Sequence, residues 1–210
     1  MKLTNLGWIL AAGMGAALCA SGFQTPPTKV GIVNLQTVFQ TSELFSLKQN
    51  DLKVMGEGRS DILAFIQTYP TITAVQAQRF RDLSLKTTEL TGPEKTELEK
   101  IKAAVMADDK ALKALQTKTN PTPAEVAKMG AYQQQTQQTQ NLLQTWAQEF
   151  KLQISDQEGK YRDEVLGKAT SATRDVGKKQ GFSLIFSSDV APFASNDVTP
   201  DTLKVMNAKK

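Results

Sequence analysis

The chain has 210 residues, with 25 basic against 21 acidic side chains, one cysteine and no histidine. Without histidine there is no imidazole base, no histidine-activated nucleophile and no histidine metal ligand. A lone cysteine allows no internal disulfide, thiolate metal cage or C-x-x-C redox pair.

Met1-Lys2 carries the only early charge, residues 6–20 form an apolar run, and the small residues Ala20, Ser21 and Gly22 follow. This is the order of a cleavable secretory signal peptide, expected over residues 1–22. The run is shorter than a spanning helix needs. Cys19 lies within it, and Leu18 directly before it does not match the usual spacing of a lipidated cysteine. Cleavage removes Lys2 and Cys19, leaving 24 basic and 21 acidic side chains, an excess too small for strong electrostatic steering. Residues 23–28, with Pro26-Pro27, read as a flexible leader. Residues 29–210 read as one domain, and an exported protein without disulfides must draw its stability from packing or assembly.

Residues 29–34, Lys-Val-Gly-Ile-Val-Asn, have the composition of a strand. Residues 35–65 read mainly as helix, with Leu35, Val38, Phe39, Leu44, Leu47, Leu52, Ile62 and Phe65 as apolar positions and Gly56 and Gly58 weakening the middle. Tyr69-Pro70 ends it, because the residue before proline is pushed out of the helical region. Residues 71–90 suggest a second helix with Thr71 or Thr73 as N-cap and Val75, Phe80 and Leu83 inward. Thr91-Gly92-Pro93 breaks it. Glu94, Glu97 and Glu99 then favour the start of a helix running to about residue 118, with Leu98, Ile101, Val105, Leu112 and Leu115 apolar. Asn120-Pro121-Thr122-Pro123 is a stop, and Thr122 with Glu125 resembles a capping box.

From Pro123 to about Lys179 nothing breaks the pattern, which predicts one helix of about 57 residues and roughly 85 Å. Leu143, Ala147, Phe150, Ile154, Tyr161, Val165, Ala169, Ala172 and Val176, with Glu158 filling the gap between Ile154 and Tyr161, recur at about 3.67 residues per step, closer to an 11-residue repeat than to a heptad. Such a seam needs a helix beside it, and the preceding helices folding back are the expected partners. Eight glutamines fall between Gln133 and Gln148, either as a solvated face or as a neutral, adaptable contact surface. Gly181 is placed as the residue after the helix end. Residues 182–186 form a second strand, residues 190–194 a third that Pro192 confines to an edge or bulge, and residues 201–207 a last helix with Thr199 as N-cap and Pro200 following. The fold class is therefore α+β and mostly helical, with a small sheet body built from the two chain ends (29–34 and 182–207) around a long antiparallel helical arm (35–181). So few strands are marginal alone, and a sheet edge shared between protomers would relieve this.

The segment KVGIVNLQTVFQTSE at residues 29–43 resembles the opening strand and helix entry of the OmpH/Skp periplasmic chaperone family. ATRDVGKKQGFSLIFSSDVAPFASNDVTPDTLKVMN at residues 172–207 resembles its closing segment. The resemblance implies a homotrimer in the periplasm, with strands forming a central body and helical arms enclosing a cavity that holds unfolded outer-membrane proteins without ATP. It places Val30, Ile32, Val33, Leu184, Ile185, Phe186, Phe193 and Ala194 in the sheet body and protomer interface. The arms do not align, so it assigns no client-binding residue. Pro70, Gly92-Pro93 and Pro121-Thr122-Pro123 depart from a simple hairpin and imply a segmented arm or an added helical subdomain at its tip.

The leading expectation is an ATP-independent holdase for unfolded outer-membrane or exported proteins. The alternative is a structural envelope coiled coil or adaptor without that activity. No cofactor is implied, and G-x-x-x-x-G-K-[ST] is absent. Asp108-Asp109 and Asp156/Glu158 are adjacent acids on charged helices, a poor basis for catalysis. Lysines alternate with acids from Lys86 to Lys118 in place of a nucleic-acid stripe. The slight basic excess permits only weak contact with membrane surfaces.

Overall fold

The computed structural model describes residues 28–193 and 195–208. The expected signal peptide, all of the leader but Thr28, and Ala194 lie outside the described residues. In chain order the elements are β1 (Val30–Val33), α1 (Leu35–Thr41), α2 (Glu43–Thr68), α3 (Ala74–Ser84), α4 (Gly92–Gln116), α5 (Pro123–Gln180), β2 (Leu184–Ser187) and α6 (Thr199–Ala208). The described residues divide into two compact units, those within 28–43 and 165–208, and residues 44–164.

In the first unit β1 and β2 pair in parallel, from Val30 opposite Leu184 to Val33 opposite Ser187. Parallel neighbours require a crossover connection, and here the crossover is the whole helical excursion. The other edge of β1 is also used. Ile32 N donates to Asn196 O (2.8 Å), Val198 N donates to Ile32 O (2.9 Å), and Asn196 Nδ2 donates to Val30 O (3.0 Å). The expected third strand at residues 190–194 does not form among the described residues. Ser187 O instead accepts from both Val190 N and Ala191 N in a turn, and Pro192 has no N–H to offer a ladder. The place beside β1 is taken by Asn196–Val198, which make a single parallel bridge, Ile32 to Asp197.

Asn34 caps α1, its Oδ1 accepting from Thr37 N at 2.8 Å. The expected continuous helix from Leu35 is interrupted at Ser42, which is extended and buried. Ser42 Oγ donates to Phe39 O, a local side-chain bond that competes with helical continuation. Leu47 faces solvent and not the core. Thr199 lies inside α6 and is not its cap, since its Oγ1 accepts from Asn34 N at 2.8 Å and ties the end of β1 to α6. Asp197 Oδ1 takes Thr199 N. Val33, Val38, Val165, Ala169, Ala172, Val176, Val198 and Met206 are the buried apolar residues of this unit.

Two positions are tight. A Cβ on Gly31 would stand 2.9 Å from the Phe182 ring and 3.3 Å from Asn196 O, so this strand position admits only glycine without displacement. Gly181 ends α5 at φ +70, and Phe182 N returns to Gly177 O at 2.9 Å, the expected left-handed stop.

The second unit has its own core of Ile62, Ile66, Ile72, Ala77, Phe80, Val105, Trp146 and Phe150. Its α2 and α5 segments run antiparallel: Lys48 meets Glu164 at 2.9 Å, and Arg59 meets Gln153 further along α2 and earlier along α5. The segmented arm therefore contains a helical subdomain with a core of its own. The helix expected over residues 71–90 is shorter, because Thr71 and Ile72 are buried in the link before it. Thr73 is the cap, in a capping box with Gln76. Val75 is 80% exposed, contrary to its expected inward position, while Phe80 and Leu83 are buried. The same box recurs at Thr91/Glu94 and Thr122/Glu125. Lys86 reaches Glu94 and Lys118 reaches Glu125, each at 2.7 Å, so both turns carry the same latch. The lysine and the cap hold both carboxyls down at about 2. On α5 the seam runs through Trp146 instead of the expected Ala147, which is exposed.

Replacing Gly31 with Val pushes against Phe182 and the Asn196 backbone and costs about 1–3 kcal/mol, read as a lower midpoint in denaturant melts. Thr202 is fully buried and its Oγ1 has no hydrogen-bond partner among the described residues. Thr202→Val keeps the shape and removes the desolvated hydroxyl, so it raises the midpoint by about 1 kcal/mol.

Candidate functional site: the open sheet edge

The outer edge of β2 pairs with no strand among the described residues. Beside it stand Leu184, 52% exposed, and Phe186, 38% exposed, while Val190 in the following turn and Phe193 just past it are exposed at 75% and 89%. Burial of large apolar side chains and pairing of free N–H and C=O groups are the two strongest drives to association, and both are unmet along this edge. A cleft of about 390 Å³ lies next to it, lined by Val33, Leu35, Gly177, Phe182, Leu184 and Ile185, with Arg174 and Lys178 among its polar walls. Lys29 Nζ sits 4.1 Å from the Phe182 ring centroid and donates to Gln180 O, holding that ring at the end of α5.

Of the residues expected in the sheet body, Val30, Ile32 and Val33 lie in β1 and Leu184, Ile185 and Phe186 in β2. Phe193 lies past the turn, outside both strands, and Ala194 lies outside the described residues. The residue pattern could not place Asn196, because its contribution is a backbone carbonyl and an amide on a non-strand segment.

The acidic residues considered for chemistry are engaged elsewhere. Tyr132 donates to Asp108 at 2.8 Å, Lys113 pairs with Asp109 at 2.6 Å, Lys160 with Asp156 at 2.6 Å and Arg162 with Glu158 at 3.8 Å.

A polar cluster that periodicity does not reveal joins three helices of the second unit. Arg81 of α3 makes a two-pronged pair with Glu149 of α5 and lies over the rings of Trp146 and Phe150 at 4.8 and 5.0 Å. Gln153 Nε2 donates to Glu149 at 2.9 Å, and Gln153 Oε1 accepts from Arg59 Nη2 of α2 at 2.9 Å. The bond from Arg81 holds the Glu149 carboxyl below its ordinary value, with Arg59 and Gln153 adding to it. Burial lowers Arg59. Its only sequence signal was an arginine on a helix otherwise read for its apolar face.

The family model described as outer membrane protein (OmpH-like) matches residues 29–206. The chain belongs to the OmpH family. No curated protein matches it. In this OmpH chain the match begins with β1 and ends within α6, so it spans both compact units. No helix among the described residues is long and apolar enough to cross a membrane.

Because the folded pKa of Glu149 is depressed, its pair contributes stability above the ordinary carboxylate value near 4.5 and loses it as pH falls through the lower folded value. Glu94 and Glu125 act in the same sense down to about 2. Thermal midpoints should therefore hold from neutral pH to about 4.5 and fall below it, with Glu149→Gln less stable at neutral pH and less sensitive to acid.

Proposed function

We propose that this chain is an ATP-independent holdase of the periplasm that binds unfolded outer-membrane or exported proteins and keeps them from aggregating. The observation that carries the reading is membership of the OmpH family over residues 29–206. Holding without nucleotide works by mass action: a protein that binds the unfolded chain lowers its free concentration, and aggregation falls steeply with that concentration. Many weak contacts give avidity without a fixed pose.

The active form is a homotrimer assembled through the β2 edge, with Leu184 and Phe186 buried between protomers. The unpaired edge and its exposed apolar side chains support this. A signal peptide over residues 1–22 would deliver the chain to the periplasm.

The purified mature chain should suppress light scattering by an unfolded β-barrel protein diluted from urea, with no ATP, and should scatter at trimer mass. Leu184→Asp with Phe186→Asp should leave a monomer of unchanged helical content and weaker holding. Binding of one folded envelope protein with no suppression of aggregation would favour an adaptor.

A further inference from the structure

The link between α2 and α3 shows what one face of α5 does to polypeptide backbone. Thr71 and Ile72 are fully buried there, outside any helix, and their adjacent carbonyls need donors. Both donors are side chains of α5: Gln135 Nε2 to Thr71 O, and Thr139 Oγ1 to Ile72 O at 2.9 Å. Residues four apart on a helix face the same way, so this stripe of α5 grips a non-helical chain by its backbone.

The neighbouring stripe carries the same amide chemistry on an exposed face. Gln133, Gln137 and Gln140 of α5 are exposed and line a groove of about 430 Å³, with Gln67 of α2 and Gln116 of α4 on its other walls. A glutamine amide offers donors and an acceptor, as a peptide group does. The charged groups in the lining, Asp109 and Lys113, pair with each other at 2.6 Å and leave the groove neutral.

We propose that this groove binds an extended, uncharged stretch of unfolded polypeptide through its backbone, by amide-to-amide hydrogen bonds, largely regardless of side chain. The proposal rests on the holdase reading and gives it a site. Backbone recognition suits a protein whose clients share no sequence, since every client carries the same peptide groups. Neutrality matches segments free of charge.

The test uses the full mature chain and a fluorescent, uncharged, Gly/Ser/Asn-rich peptide, beside the same peptide with N-methylated backbone amides. Two variants are compared, Gln133→Leu/Gln137→Leu/Gln140→Leu and the corresponding triple alanine. The unmodified peptide should bind the parent chain, and N-methylation or either triple variant should weaken binding about tenfold or more, with melting temperature unchanged. Equal binding of both peptides, or unchanged or tighter binding to the leucine variant, overturns the proposal. So does self-association that the triple variants abolish, which would make a second copy the occupant. If the parent suppresses aggregation and both triple variants do so equally, the groove is wrong and the holdase reading stands. If the parent fails to suppress aggregation yet binds the peptide as described, the holdase reading falls and the groove stands.

Discussion

Everything in the first unit hangs on a strand of four residues bonded along both edges. β1 gives alternate backbone groups to β2 and to Asn196–Val198, and Asn34 just beyond it donates to Thr199, 165 residues further along the chain. Closing a loop of that length costs on the order of 4–5 kcal/mol in chain entropy. Four residues of parallel ladder cannot supply that alone. The burial of Val33, Val38, Val165, Ala169, Val176 and Val198 behind the sheet offsets it, so sheet and helical layer form only together.

The second unit solves a different problem, the termination and restart of helices on one arm. Each restart has its cap built in, and two use a lysine from the preceding turn to hold the cap's glutamate. The Arg81, Glu149, Gln153 and Arg59 series then links α3, α5 and α2 above the rings of Trp146 and Phe150. The apolar core brings the helices together, and the polar series selects one rotational setting among those that would bury similar area.

What was legible in the sequence was whatever a short window contains. The length of α5 follows from Pro123 and Gly181, and the Thr122/Glu125 box from a spacing of three. What was not legible depends on partners far away in the chain. Val75 points outward because Thr73 and the buried link before it set the phase of α3. Thr199 gives its oxygen to Asn34 instead of its own helix. Residues 190–194 have strand composition, yet the edge beside β1 went to Asn196–Val198, whose polar residues carry no strand signal. The apolar residues at the β2 edge were visible in the sequence, but their exposure was not, since the same pattern describes ordinary core. The glutamines of α5 were conspicuous as composition, while the grip of Gln135 and Thr139 on the α2 to α3 link appears only in three dimensions.

The two-sided bonding of β1 has a consequence for the order of biosynthesis. The N-terminal part of a chain becomes available first, so β1 waits for both of its neighbours until residues 184–198 have followed it into the compartment where the protein folds. Residues 44–164, complete in their own core, can fold during that interval. Until then β1 is itself an unpaired apolar strand, the kind of segment that aggregates, and its shortness and Gly31 keep it a poor template for misplaced pairing.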